Sequence, residues 1–359
     1  MNISFKSDIG IGGFYDVLPK ELTIDKILDK LYDRSCDTLF KEIKLKPYEE
    51  DAETKNLINE LSEIKPILHK GNWQNVIFRK FCDIVEMNFA DNAVVSHSSG
   101  FDSRMISLAM VKRGLKPIEY CEGYGEWDSF IQIMKLLKIK NYRIFNKEAK
   151  PEEHSLPYIT DPVSGFEGVV DLHLNVFYTP YNENITQFCG VGANTLTEAM
   201  KLYDNYFSKQ AGIKQGMSPG QRIRKALDWI YYTQLNRYKI AGRPATPFNN
   251  YEFIKTIAKI KNWQVNRERF SEQILNAVNP DLARIPRIEP QELTNRGFRN
   301  VSQRIMKDIE ARYKDSWYGK HVKSKPTGQL EYHQWWADWG ASQICEYLIK
   351  QGYNIKFIF

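Results

Sequence analysis

The chain has 359 residues, of which 42% are hydrophobic and 13% aromatic, and its 50 basic and 44 acidic residues give a net charge of +6. This length fits one large domain or two smaller ones with a real core, and the charge alone does not argue for a nucleic-acid partner. No apolar run is long enough to span a bilayer, and residues 1–13 lack the apolar core of a signal peptide, so we expect a cytoplasmic protein. The five scattered cysteines include no C-x-x-C pair, which argues against a structural zinc site.

The first 70 residues are predicted to form an irregular start followed by helices, an N-terminal helical extension. Helical spacing before Pro66 is shown by Leu57, Ile58, Leu61 and Ile64. An amphipathic helix is predicted from Trp73 to Met87, and it leads into an apolar strand at 93–95. This helix places a strand directly ahead of a loop rich in serine and glycine.

Strands and helices alternate after this point. The predicted strands are 93–95, 118–121, 142–145 and 185–189, and the helices between the first three are 104–113 and 127–138. This order predicts an α/β fold with a parallel sheet and right-handed crossovers, whose ligands bind at the carboxyl ends of the strands. The remainder is predicted to be largely helical, with helices at 221–235, 251–261 and 268–278 and a helical segment at 299–359 packed on the core.

The loop Ser98-Ser99-Gly100-Phe101-Asp102-Ser103 follows the first of these strands and precedes a helix. Small residues let a backbone approach an anion, and amides at a helix start favour phosphate. Asp102 is predicted to hold Mg2+ against phosphate oxygens, since Mg2+ prefers carboxylate and phosphate ligands. The alternative is that these residues only form a turn and a helix cap.

A second loop, Gly190-Val191-Gly192-Ala193-Asn194, follows the strand at 185–189. Two glycine-containing loops at strand ends favour a nucleotide site, because they can contact the two ends of one ligand. The alternative is an ordinary turn between a strand and a helix.

In this order the two loops resemble those of the ATP-pyrophosphatase (PP-loop) superfamily, and within it the synthetase domain of the asparagine synthetase family. That family's loops read Ser-Gly-Gly-x-Asp-Ser and Ser-Gly-Glu-Gly-Ala-Asp-Glu. A third block, Arg-x-Pro-Phe-Leu-Asp, is similar to residues 242–249 ahead of the helix at 251, and 270–286 resembles a helix followed by a Leu-Pro turn. The resemblance covers about residues 73–298, and we interpret residues 71–298 as a synthetase-like domain with an adenine nucleotide alpha-hydrolase-like core.

The resemblance implies adenylation of a carboxylate by ATP with release of pyrophosphate, followed by attack of an amine and release of AMP. ATP and Mg2+ are the implied cofactors. The implied nucleotide-binding residues are Ser98, Ser99, Gly100, Phe101, Asp102, Ser103, Tyr120, Cys121, Glu122, Gly190 and Gly192. Lysines of a carboxyl-terminal segment close over the phosphates in some members, and Lys320 and Lys323 are the catalytic candidates here beside Asp102. A solvated basic loop is the alternative for these lysines.

The second loop departs from the family pattern. Its acidic positions are occupied by Val191, Asn194 and Thr195. Asn194 can ligate Mg2+ through its carbonyl but without charge, so Asp128, after the second strand, becomes a further candidate ligand. The alternative for Asp128 is an acidic residue favoured by the helix dipole. The chain has Asn2 where the family's glutaminase cysteine follows the initiator Met, so we expect ammonia to be free or to come from a separate donor.

The sequence therefore predicts an AMP-forming amide ligase with a small or macromolecular acceptor. Two alternatives stay open at this point. One is a PP-loop enzyme that modifies nucleic-acid bases, which the net charge permits, although there is no RNA-binding module. The other is a nucleotide-binding protein that has lost catalysis, which the altered second loop favours. An oligomer is compatible with the aromatic-rich helix pattern around Trp335.

Overall fold

The computed structural model describes residues 20–24, 41–42, 50–65, 71–121, 127–144, 182–190, 192–193, 196–197, 199, 211–214, 216–230, 242–260, 270–287, 345, 349 and 352–358. The strands in these ranges are β1 (Glu21–Ile24), β2 (Ala93–His97), β3 (Ile118–Cys121), β4 (Tyr142–Ile144), β5 (Asn182–Phe188), β6 (Gly242–Ala245) and β7 (Asn354–Phe357). The helices are α1 (Ala52–Glu63), α2 (Trp73–Met87), α3 (Phe101–Lys112), α4 (Trp127–Leu137), α5 (Pro219–Ile230), α6 (Tyr251–Ala258), α7 (Phe270–Val278) and α8 (Pro280–Arg284), with a 3-10 turn at Pro247–Asn249.

Five strands form one parallel sheet in the order β4-β3-β2-β5-β6. The prediction of an α/β fold with a parallel sheet is confirmed. The chain moves outward from β2 to β3 and β4, and β5 and β6 then lie on the other side of β2. In register, His97 lies opposite Cys121, and Val95 lies opposite Phe188. The strand order therefore reverses between β2 and β5, which is where open parallel sheets bind ligands.

The core lies between this sheet and the helices that follow or precede its strands. Phe81 of α2 packs against Phe248 and Phe253, with ring centroids 4.7 and 5.3 Å apart. All three phenylalanines are at most 1% exposed, so their large apolar area is fully removed from water. Among the described residues, no helix has the length and apolar character required to cross a membrane.

Helix α1 belongs to this core, although it lies in the predicted N-terminal extension. Its residues Leu57, Ile58 and Leu61 are buried in the core cluster. The Thr54 hydroxyl lies 2.8 Å from the Tyr251 hydroxyl on α6, and both residues are buried. The helix at 52–63 thus confirms the spacing prediction, and it links the N-terminal region to the domain that contains the sheet.

The Tyr251 hydroxyl makes part of the folding stability dependent on pH. Burial, assisted by the nearby carboxylates of Asp51 and Glu53, raises its pKa from 10.0 to about 12. Because the folded protein holds this proton more tightly than the unfolded chain, the contribution is complete below pH 10 and is lost between pH 10 and pH 12. We expect the unfolding free energy from urea titrations to fall over this interval, and to fall less in Tyr251→Phe. An equal fall in both proteins would show that Tyr251 is not the titrating group.

Strands β1 and β7 pair in parallel as a separate two-stranded sheet, with Leu22 opposite Ile355. β1 lies in the irregular start predicted for residues 1–70, and β7 lies in the segment 299–359 that was predicted to be helical, so the structure has strands where none was predicted. Pairing between strands at the two ends of the sequence leaves no local signal, because four-residue strands are too short for a clear alternation. The predicted domain boundaries stay predictions. The aromatic-rich helix predicted around Trp335 lies outside the described residues.

Candidate functional site

The loop after β2 leads directly into α3. The helix begins at Phe101, earlier than the predicted start at Arg104, so Asp102 and Ser103 lie in its first turn. Gly100 is the N-cap residue and makes no side-chain cap hydrogen bond. A twelve-residue helix directs its amides and the positive end of its dipole at this point. The start of α3 is therefore suited to an anionic ligand.

Hydroxyl groups hold the shape of this loop. The Gly100 amide donates to Ser98 Oγ at 3.1 Å, and Ser103 Oγ is shared between the carbonyls of Ser98 and Gly100 at 3.2 and 3.1 Å. Ser99, Phe101 and Ser103 are buried, whereas Ser98 is exposed and Gly100 is partly exposed. Of the predicted phosphate ligands, Ser98 is thus exposed and Gly100 partly exposed, while Ser103 stabilises the loop from inside.

The second loop lies against the first. Gly190 follows β5, the neighbour of β2, and a Cβ at Gly190 would stand 2.7 Å from Cβ of Asp102. Only a residue without a side chain permits this approach. Gly190 of the second loop therefore lies against Asp102 of the first loop at the carboxyl edge of the sheet. The structure adds that this glycine is required by the packing of the loops on one another.

The third block contacts the second loop. Gly192 has φ +86°, and a Cβ there would stand 1.9 Å from Oδ1 of Asn249. The Cys189 amide donates to the Ala245 carbonyl at 3.1 Å, which keeps β5 and β6 paired up to the loops. Asn249 is fully buried, and its side-chain oxygen and nitrogen have no hydrogen-bond partner among the described residues. The loops that follow β2, β5 and β6, which are neighbouring strands in the sheet, thus contact one another in one place.

The Asp102 carboxylate is held by a residue far along the chain. Ser271 on α7 donates from Oγ to Asp102 Oδ1 at 2.6 Å, and Ser271 is fully buried. A hydrogen bond to one oxygen fixes the orientation of a carboxylate, as partners of metal-ligating carboxylates commonly do. Sequence analysis missed Ser271, since its only signal is a small polar residue on the apolar face of a helix.

We expect Ser271→Ala to weaken the binding of a magnesium–ATP analogue by about tenfold or more, because Asp102 loses its orienting donor. The measurement is calorimetric titration in the presence of Mg2+. Ser62→Ala is the control, since Ser62 is an exposed serine on α1 that donates to the Ile58 carbonyl of its own helix at 3.1 Å, away from the Ser98–Ser103 loop. Equal affinities in Ser271→Ala and the control would contradict an orienting role for Ser271.

A buried polar cluster lies beneath the loop. Ser107 Oγ donates to Glu119 Oε2 at 2.7 Å, and His97 Nε2 lies 2.6 Å from Ser107 Oγ and contacts the same carboxylate. His97 also packs on Phe130, with ring centroids 5.1 Å apart. His97, Ser107 and Glu119 are all at most 4% exposed. This arrangement supports β2 and β3 at the point where the loop begins and leaves Glu119 enclosed in the core.

The other predicted site residues lie at the end of β3, at the start of α4 or outside the described residues. Tyr120 and Cys121 end β3 with buried side chains, and the Tyr120 hydroxyl accepts from Gln187 Nε2 at 2.9 Å, so neither side chain is exposed to a ligand. Asp128 is exposed in the first turn of α4 at the same edge of the sheet. The candidates outside the described residues are Glu122, Val191, Asn194, Thr195, Lys320 and Lys323.

The described residues contain no group of three or more His, Cys, Asp or Glu side chains arranged to hold a metal ion. Mg2+ rarely needs such a group, because it is commonly held by one or two carboxylates together with substrate phosphates. Asp102, oriented by Ser271 and placed at the start of α3, fits this donor set. The residues present are therefore compatible with Mg2+ that arrives with a nucleotide.

Comparison with known proteins does not assign the chain to a family. No protein-family model matches the chain, and no curated protein matches it.

Proposed function

We propose that this protein is an ATP-dependent, AMP-forming ligase that adenylates a carboxylate, or a similar oxygen, and transfers it to an amine. The observation that carries the proposal is the convergence of the loops after β2, β5 and β6 at the reversal of strand order, with Asp102 in contact range of Gly190. Parallel sheets bind ligands at this place. The fold alone hosts many activities, so the site and not the sheet supports the proposal.

The chemistry assigns a task to each part of the site. The carboxylate oxygen of the acceptor attacks the α-phosphorus of ATP, the bond to pyrophosphate breaks, and the amine then displaces AMP. Amides of the Ser98–Ser103 loop and the start of α3 would bind the departing pyrophosphate, and Asp102 would hold Mg2+, which neutralises the developing charge. Positioning of the two reactants would supply the rest of the rate enhancement, because the loops would hold the phosphates in place.

The experiment is an exchange assay. The protein is incubated with ATP, Mg2+, labelled pyrophosphate and pools of carboxylic acids in the absence of amines. An adenylating enzyme returns label to ATP with the correct pool, and added amines then release AMP. Formation of ADP and phosphate in place of AMP and pyrophosphate would contradict the proposal.

A second candidate is a nucleotide-binding protein without catalysis. Val191, Asn194 and Thr195 stand where the resembling family has acidic groups, and this loss of negative charge favours the candidate. It predicts binding of ATP with no exchange in any pool. The base-modifying alternative stays a prediction of the sequence alone, and titration with tRNA over a range of salt concentrations tests it.

A further inference from the structure

Arg104 on α3 is a fully buried arginine two residues after Asp102. Its guanidinium donates to the carbonyl of Ser99 at 2.6 Å through Nη2. It also donates to three carbonyls at the end of α8, namely Leu282 at 3.0 Å, Ile285 at 2.6 Å and Pro286 at 3.0 Å. The ring of Phe101 covers the guanidinium, with its centroid 4.8 Å from Cζ. Burial of this charge is tolerated because the side chain is hydrogen-bonded on two sides.

The contact with Ser99 fixes a single peptide group of the loop. The carbonyl of the Ser99–Gly100 peptide accepts from Arg104, and its amide donates to Ser98 Oγ at 3.1 Å. The peptide group is planar, so hydrogen bonds to both its carbonyl and its amide fix the orientation of the whole group. Ser98 Oγ accepts this amide, so the exposed hydroxyl is held in place with its own O–H able to donate, and a donor fixed in this way stabilises an anion without having to reorganise when it binds.

The other three carbonyls place a second segment beside the loop. The Pro286 carbonyl also accepts from Ser129 Oγ, in the first turn of α4, at 2.8 Å. The turn at 285–287 is thus attached to α3 and α4 at the carboxyl edge of the sheet. Since 178 to 182 residues separate Arg104 from these acceptors, this attachment depends on tertiary structure alone.

We propose that Arg104 is a positioning residue of the phosphate loop. It holds the Ser99–Gly100 peptide, and through it the exposed Ser98 hydroxyl, in position for a nucleotide's phosphate chain, and it joins the loop to the turn at 285–287. This inference rests on the proposed function, because its ligand is the nucleotide of that function. A lysine cannot replace Arg104, because its donors share one nitrogen, whereas the guanidinium reaches carbonyls on two segments from two nitrogens.

The test compares Arg104→Lys with Arg222→Lys. Arg222 on α5 is also buried, and it donates to the carbonyls of Ala199 at 2.6 Å and Met217 at 2.8 Å, outside the Ser98–Ser103 loop. Urea unfolding measures the stability of both variants, and calorimetry measures their affinity for a non-hydrolysable ATP analogue with Mg2+. We expect both variants to lose stability and only Arg104→Lys to lose about tenfold or more in affinity.

A measurement on the unaltered protein covers the case in which Arg104→Lys does not fold. Binding of the analogue is expected to slow hydrogen exchange at the amides of Gly100 and Arg287 together, because Arg104 joins the two segments. Protection of the loop without the turn at 285–287 would overturn the inference, as would equal affinities of the two lysine variants. Failure of the unaltered protein to bind the analogue would overturn the proposed function as well, so the two failures are distinguishable.

Discussion

We expect Asp102→Ala to lower the rate of exchange between pyrophosphate and ATP by about 100- to 1000-fold, because the proposed site would lose the carboxylate that would hold Mg2+ against the phosphates. Asp102 is the first-turn acid of α3 and accepts from Ser271 at 2.6 Å. Asp102→Asn keeps an oxygen that can accept this hydrogen bond but removes the charge, so a comparable loss is expected. The measurement is the initial rate of exchange between pyrophosphate and ATP at saturating Mg2+.

Asp91→Ala is the matched control for this prediction. Asp91 is exposed in the turn before β2, at the opposite end of that strand from the loop. We expect the exchange rate of this variant to equal that of the unaltered protein. Retention of full activity by Asp102→Ala would rule out the metal-binding role and would favour a packing role against Gly190.

Gly192→Ala destabilises the fold by about 2–5 kcal/mol, the sum of a left-handed backbone for a residue with a Cβ and of overpacking. The backbone at Gly192 has φ +86°, and the new methyl group would stand 1.9 Å from Oδ1 of the buried Asn249. The loop or Asn249 must therefore shift. The unfolding free energy in urea measures the effect, and the affinity for the ATP analogue should fall with it.

Gly216→Ala separates the two causes. Gly216 has φ +94°, but a Cβ there meets no atom of the described residues within 4 Å. We expect a loss of about 1–2 kcal/mol from the backbone alone, with unchanged nucleotide affinity. If both alanine variants lose the same stability, the close packing of the second loop on Asn249 is not a feature of the protein in solution.

Local patterns predicted the elements that form the sheet edge. The helix at 73–87 was predicted with the bounds that the structure has, because its apolar residues follow one face, and the structure adds that Asn72 caps it. The apolar run at 93–95 predicted the first of these strands, which extends to His97, and the strand predicted at 118–121 has the bounds that the structure shows. The start of α3 was predicted three residues late, since Phe101, Asp102 and Ser103 follow a glycine and were interpreted as loop.

The contacts that complete the site had no local signal. Ser271 lies 169 residues from Asp102, and Arg104 reaches acceptors at 282–286. From sequence alone, a serine on a helix and an arginine in the first turn of a helix are both expected to be exposed to solvent. Only the folded structure brings these side chains to the loop. The pairing of β1 with β7 was missed for the same reason.

The measurement that tests the central claim most directly is calorimetric titration of the purified protein with a non-hydrolysable ATP analogue, with and without Mg2+. The claim predicts binding that is strengthened by Mg2+ and that loses this dependence in Asp102→Ala. Absence of binding with and without Mg2+ would contradict a nucleotide site between the loops after β2 and β5.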